Sequence, residues 1–466
     1  MKIPLVGPSY QQRSLPFDAQ RTINLYPVMD KDGKEVAALY GTPGLTLFAT
    51  AGNGPIRGAF TASNGRAFVV SSLTLYEVNS DGTTTSRGTL DNNPSVNVMM
   101  DENGLQLAIC DEVSLYIFTF STNVFAKVTD ADLPSCGTVT FTDGYFAVNK
   151  NNSGQFFISA QYDGTSWNAL DFATAESSPD NLSRVLNAID LLWLFGTETT
   201  EVWRNSGAAD FPFEKISGAK MQIGILAPHS ALALDNSVFW VGKDDKGQAI
   251  VYRAQGFYPL RISTDPIEKI LQAATSASGL RGYSYQQEGH LFYVITGGGL
   301  PTTLVYDVST QLWHERAYLN DGNFEQHLGS CGFFAFSKNL VGSRRDGSIY
   351  QLSLDVFDDN GDPMASERTF THLSDENRRI RFNQLELAME TGVGNQSDPG
   401  SNPLITLWTS RDGARTWSNS YTKPIGKVGV YGQRVAWRRL GIAPDMVFRV
   451  RITDPVKRSL IGSYLK

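Results

Sequence analysis

The stretch LNAIDLLWLFGTETTEVWRN (186–205) decides the fold. After a polar turn, LLWLFGT (191–197) is apolar almost without interruption. A strand with one wet face alternates apolar and polar residues, whereas a near-continuous apolar run marks a strand buried on both faces. NSVFWVGK (236–243) repeats the pattern. Around each such run the same grammar recurs: a first strand, a tight turn, a more apolar strand, then a strand ending in a polar turn. Units begin near Ile56, Ser95, Thr138, Leu186, Ser230, Arg281 and His327, roughly 39 to 51 residues apart. A four-stranded propeller blade has a period of about 40 to 50 residues, and its interior strand lies between two neighbouring blades. The seventh unit lacks a fourth strand, which GLTLFAT (44–50) could supply. Such a closure removes free sheet edges.

The expected fold is therefore all-β. It is a β-propeller of seven blades, with six as the alternative count, followed by a C-terminal antiparallel β-sandwich. The competing reading is a set of unrelated β-sandwiches. The expected boundaries are an extended N-terminal arm (1–43), the propeller (44–354), a linker (355–371) and the sandwich (372–466). The arm is irregular yet apolar, with Ile3, Leu5, Val6, Leu15, Phe17, Ile23, Leu25 and Tyr26. It should pack against its own propeller or a neighbouring subunit. One helix is expected, in DPIEKILQAATSA (265–277), with Asp265 as N-cap and Pro266 at the first helical position. In MVFRVRIT (446–453), Phe448, Val450 and Ile452 face one way, and Val447, Arg449 and Arg451 the other. That strand should have one apolar and one basic face.

The 466 residues carry 43 Gly, 20 Pro and 11% aromatics, a composition suited to short strands and many turns. The net charge of −7 is unevenly spread. From Ser366 onward there are 16 basic and 9 acidic residues, an excess of +7; the preceding residues hold 24 and 38, a balance of −14. An acidic bulk argues against tight sequence-specific nucleic-acid binding, which uses a basic face. Cys110, Cys136 and Cys331 are too few and too widely spaced for a disulfide framework or a zinc site, and favour folding in a reducing cytoplasm. Pro4, Gly7 and Pro8 break any signal-peptide core, and no apolar run approaches 18 residues, so no membrane association is expected.

TSRDGARTWS (409–418) comes near the Asp-box of sialidases, but Ala414 stands where that motif has Gly. YDGTSW (162–167) is a weaker echo. In such a motif the Asp and Ser/Thr side chains bond the turn and the Trp packs beneath it, which are folding roles. A sialidase also needs a cluster of arginines, a Tyr nucleophile and a Glu partner. DDNGD (358–362) resembles half a calcium loop at the wrong spacing and reads as a turn. The five histidines form no H-E-x-x-H, and GGGL (297–300) reads as a loose hairpin. No catalytic residue, cofactor or metal is expected. The remaining candidates are basic strands: Arg378, Arg379 and Arg381 in RRIRF, and Arg434, Arg438 and Arg439 in QRVAWRRL. They could meet DNA or an acidic protein surface, or simply form a solvated sheet face.

Several segments together carry a resemblance. They are NLYPV (24–28), GTPGL (41–45), IRGAF (56–60), SSPDNLSRVLNAIDLLWLFGTETTEVW (177–203) and QIGILAPHSALALDNSVFWVGKD (222–244). The YPLRISTDPIEKIL run (258–271), RVAWRRLG (434–441) and FRVRITDPVKRSLIG (448–462) complete the set. In this order they resemble the packaged-DNA stabilisation, or tail hub and nozzle, proteins of short-tailed phages typified by those of Salmonella. The resemblance spans nearly the whole chain. It implies a propeller with added β domains and a structural role in the virion tail, assembled in the host cytoplasm. It also implies a homo-hexameric ring below the portal and its adaptor ring. That ring would continue the DNA channel, touch transiting DNA non-specifically, retain the packaged genome and dock tailspikes and a tail needle or plug. The alternative is a glycan-binding or glycan-cleaving propeller tail protein.

Overall fold

A computed structural model describes residues 1–466 except 10, 13, 31–34, 176–178, 245 and 377. Parts of the expected arm, and Ser177 and Ser178 of the resemblance, lie outside the described residues. Among the described residues, seven four-stranded antiparallel blades form the propeller, five as separate sheets and two, blades 6 and 7, as parts of larger sheets. Blade 1 runs from strand Ile56–Thr61 to Thr84–Thr89, blade 2 from Met99–Glu102 to Val124–Lys127, and blade 3 from Cys136–Thr142 to Asp163–Thr174. Blade 4 runs from Leu182–Ala188 to Phe213–Met221, blade 5 from Leu232–Leu234 to Tyr258–Arg261, and blade 6 from Leu280–Gln287 to Leu312–Asn320. Blade 7 has Gly329–Ala335, Lys338–Ser343 and Ser348–Ser353, and takes Gly44–Thr50 as its outer strand, with Leu352 opposite Leu45. The count is seven, and the ring closes with the strand that precedes blade 1. Each blade's first strand touches the next around the ring, and Gly329–Ala335 touches Ile56–Thr61.

The apolar second strand has a simple cause. In Leu191–Gly196, Leu192 and Leu194 enter the cluster shared with blade 3, while Trp193 and Phe195 enter the cluster shared with blade 5. Alternate side chains thus serve two interfaces. Seven such clusters fill the seven blade junctions. The helix spans Asp265–Gln272 and packs Ile267 and Leu271 between blades 5 and 6. Its N-cap is Thr264, one residue earlier than the sequence suggests, because the Glu268 amide bonds the Thr264 carbonyl.

The C-terminal part is a two-sheet sandwich, and the N-terminal segment is woven through it. One sheet orders Leu25–Met29, Ala37–Gly41, Ser459–Leu465, Ile380–Met389 and Val435–Ala443, with Lys2–Ile3 also pairing Ser459–Leu465. The other orders Arg21–Ile23, Ser366–Thr369, Asp445–Ile452, Leu404–Ser410 and Tyr421–Pro424. Ile3, Leu5, Leu25 and Leu39 lie in the sandwich core with Phe382, Trp437 and Phe448. Most apolar residues of the first segment therefore bury, not only against the propeller as expected, where Tyr26 joins the core between blades 6 and 7, but chiefly in the sandwich, while Phe17 is 77% exposed.

The two bodies share one sheet. Arg21–Ile23 pairs parallel with the outer strand of blade 6 on one side and antiparallel with Ser366–Thr369 on the other. Ser366–Thr369 falls inside the segment expected as a linker (355–371), yet all four of its residues are buried because strands flank it on both sides. Asn24 locks the junction. It adopts a left-handed φ of 52° and is fully buried. Its Nδ2 donates to the Ala317 and Ala365 carbonyls at 2.8 Å each, and its Oδ1 accepts from the Ala317 amide at 3.0 Å. Asn tolerates the left-handed region and can satisfy backbone groups with its own side chain.

Candidate functional site

The motifs that suggested chemistry are consumed by folding. In 409–418, Asp412 accepts from the Thr416 hydroxyl at 2.6 Å, the Thr416 amide at 2.9 Å and the Ser410 hydroxyl at 2.7 Å. The Thr416 bonds, followed by that of Ser410, hold its carboxyl well below the ordinary carboxylate range. Ala414 takes a φ of 66° and buries beside Ala19 and Val447. Trp417 is only half-buried; the Arg449 guanidinium lies 3.7 Å over its ring. In 162–167, Asp163 accepts from both the amide and the hydroxyl of Thr165, and Trp167 is buried with its Nε1 donating to the Gly164 carbonyl at 2.9 Å. Both stretches tie hairpin turns down.

DDNGD forms the short hairpin Asp358–Asp359 and Asp362–Pro363, in which Asp359 is buried and paired to Leu45. Among the described residues no group of three or more His, Cys, Asp and Glu side chains is placed to hold a metal ion. The histidines are scattered: His290 meets Asp307 at 2.8 Å, and His372 bridges Asp445 and the Leu15 carbonyl. Gly297, Gly298 and Gly299 all have positive φ in the loose hairpin of blade 6.

The six candidate arginines are all exposed and lie on, or just before, the outer sheet of the sandwich. Arg434, Arg438 and Arg439 line an open cleft of about 620 Å³ with Tyr421, Lys423 and Trp437. Arg434 is held by Glu386 through two bonds of 2.6 Å, so Lys423, Arg438 and Arg439 carry the cleft's positive charge. A bulge brings Arg438 and Arg439 together: Gln384 pairs with Arg438 but Phe382 with Gly441, and Arg439 adopts a φ of 59°. Arg381 sits opposite Ile442, about 13 Å further along the strand. Arg378 and Arg379 precede that strand, Arg378 beside Glu376 at 3.1 Å, and neither lines the cleft.

The basic excess of the sandwich is only partly a surface property. Arg368 and Arg458 are buried, bonding Gln20, Thr22 and backbone carbonyls. The basic face of MVFRVRIT is covered too. Glu367, 2% exposed, meets Arg451 at 2.6 Å and Arg449 at 3.5 Å, and on the neighbouring strand Arg21 meets Glu315 at 2.7 Å. Phe324 and Trp408 lie beneath the Arg451 guanidinium. This ladder of charges and rings crosses the seam between blade 6 and the sandwich.

Sequence reasoning missed the propeller axis. Arg184 of blade 4 donates to the Pro228 carbonyl ahead of blade 5 at 2.9 Å and contacts the Met99 sulfur of blade 2 at 3.0 Å. Arg281 of blade 6 reaches the Ile56 carbonyl of blade 1 at 3.4 Å, and His229 beside blade 5 meets Glu112 of blade 2 at 2.8 Å. The contacts to Met99, Ile56 and Glu112 join blades that are not neighbours, so the propeller's own axis is bridged. A signal was present in two units that begin alike, Ile56-Arg57-Gly58 and Leu280-Arg281-Gly282. A Cβ on Gly58 or Gly282 would lie 2.6 or 2.5 Å from a carbonyl beside the neighbouring blade.

Residues 1–357 match the family model described as bacteriophage P22 Gp10, β-propeller, and residues 366–466 match that described as bacteriophage P22 Gp10, β-sandwich. No curated protein matches the chain. Among solved structures, the extracellular domain of a putative hybrid two-component system from B. thetaiotaomicron is similar over 78% of this chain and 45% of its own, at 9% identity and a TM-score of 0.45. Virginiamycin B lyase from Staphylococcus aureus is similar over 71% of this chain and 98% of its own, at 11% identity and a TM-score of 0.44. At these TM-scores neither likeness bears on function.

Proposed function

The chain belongs to the bacteriophage P22 Gp10 family and is a structural protein of the phage tail, and on that premise we propose that it is a tail hub. Several copies, six in our reading, form a ring below the portal and its adaptor. The ring continues the DNA channel, retains the packaged genome and docks tailspikes and a tail needle. The observation that carries this reading is the shared sheet from blade 6 through Arg21–Ile23 into the sandwich. A collar around confined DNA must resist outward force, and a subunit with a bonded seam transmits load without a hinge.

DNA passes along the ring axis between subunits, since each propeller's own channel is bridged by Arg184, Arg281 and His229. The acidic propeller faces that lumen, where like charge lets phosphates slide without sticking. Arg378, Arg379, Arg381, Arg434, Arg438 and Arg439 offer the sandwich surface to an acidic neighbour in the tail. The glycan-cleaving alternative loses its motif, because the polar groups of both Asp-box-like stretches are bound within their turns. Electron microscopy of particles assembled without this protein tests the reading. Heads that fill and then lose DNA, with no spikes attached, are expected; full heads bearing spikes refute it.

A further inference from the structure

Three guanidinium groups converge on the axial cavity, and among the described residues no carboxylate lines it. The cavity measures about 320 Å³ and is walled by Arg57, Arg184 and Arg281 with His229 and by both small and large residues at the first strands, Met99 and Tyr283 among them. Arg57, 3% exposed, donates Nε to the Val96 carbonyl at 2.6 Å and Nη1 to the Ser72 carbonyl at 2.7 Å. Its Nη2 has no partner among the described residues. Arg184, 7% exposed, bonds through Nη1, and among the described residues its Nε has no partner.

The surrounding acids are already engaged. Glu112 holds His229. Asp101 accepts from Thr140, Phe141 and Glu102, and Asp111 from Ser114 and Tyr116. Burial lowers all three arginines, Arg184 to about 10, which leaves it protonated at neutral pH. Buried cationic N–H groups without acceptors bear the full loss of hydration. An anion placed among them removes that cost with charge-assisted bonds.

We propose that the axial cavity is a binding site for a small oxyanion of the phosphate–sulfate class, held by the unpartnered N–H groups of Arg57 and Arg184, with Arg281 adding charge. Bound there, it ties blades 1, 4 and 6, which are not neighbours in the ring. The same chemistry could come from free anion or from a nucleic-acid phosphate; the bridged axis favours the free anion.

The test uses the full-length protein. Inorganic phosphate is titrated calorimetrically and by thermal melting against sodium chloride at equal ionic strength. Saturable binding of one phosphate per chain, with a rise in Tm that chloride does not reproduce, is expected. Arg184→Met should weaken binding by about tenfold or more, the loss of a charge-assisted contact. No saturable binding by the unaltered protein in the millimolar range overturns the proposal, whether or not the variant folds. So does a folded Arg184→Met protein that binds phosphate as the unaltered protein does. A single-stranded oligonucleotide that displaces the phosphate overturns the assignment to free anion; failure to displace it supports that assignment.

Discussion

Replacing Glu367 by Gln cuts the charge ladder at the seam between propeller and sandwich. The side chain is nearly isosteric, so packing of Ser366–Thr369 is kept and only the charge between Arg449 and Arg451 is lost. Removing one partner of a buried ion pair costs about 3–5 kcal/mol. The Arg449 and Arg451 side chains are 22% and 24% exposed, so water offsets part of that. About 2–3 kcal/mol is expected. The size of the Tm shift then reports how the chain melts. Unfolding entropy near 2.1 cal/mol/K per residue amounts to about 1 kcal/mol/K for 466 residues. If propeller and sandwich melt as one body through their shared sheet, Tm falls by about 2–3 °C. If a sandwich of roughly 100 residues melts alone, the same loss lowers its transition by about 10–15 °C. Calorimetry of Glu367→Gln, Arg451→Met and the double variant measures both the cost and the coupling, expected at about 1 kcal/mol or more. Glu214→Gln is the control: its pair with Arg204 is 48% and 61% exposed and should matter by less than about 1 kcal/mol. A Glu367→Gln cost no greater than that control, with no coupling to Arg451, refutes the idea that charge bonds the seam.

Trp167→Ala, which empties a buried site in blade 3, should cost about 3–5 kcal/mol, whereas Trp417→Ala, half-buried under Arg449, should cost about 1–2 kcal/mol; chemical denaturation that ranks them the other way contradicts the folding roles of these two turns. Asp359 is buried with both carboxylate oxygens lacking a hydrogen-bond partner among the described residues, and burial raises it to about 7 despite Arg316 and Arg458. Its folded value lies above the unfolded value of about 3.9, so the stability it contributes is complete below that and is lost as pH rises through about 7. Asp359→Asn should therefore gain Tm over the parent between pH 5 and pH 8, and a flat or opposite difference would mean the two arginines keep the carboxylate ionised. Reversing Arg438 and Arg439 to Glu should leave stability within about 0.5 kcal/mol, since both are exposed, while particle assembly assays lose tail completion; normal assembly removes the docking role of the basic cleft.

The repeat grammar of the propeller was legible because each blade announces itself locally. Its interior strand must be apolar on both faces, as in Leu191–Gly196, and that need recurs with every blade. The closing strand was legible for the same reason: Gly44–Thr50 stands where a unit lacks one. The harmlessness of TSRDGARTWS could also be read from Ala414 and from its place outside the blades. What the chain alone did not disclose depends on pairings between distant residues. Arg21–Ile23 has three residues, too few for any periodicity, and its partners lie some 300 residues or more away at Glu315 and Arg368. The basic strand Asp445–Ile452 reads as a wet face in isolation; only the approach of Glu367, Phe324 and Trp417 turns that face into a seam. Consecutive axial arginines stand 127 and 97 positions apart and acquire a common purpose only when the ring closes. Local burial patterns determined the architecture of this protein, and the closure of long loops decided where its charges meet.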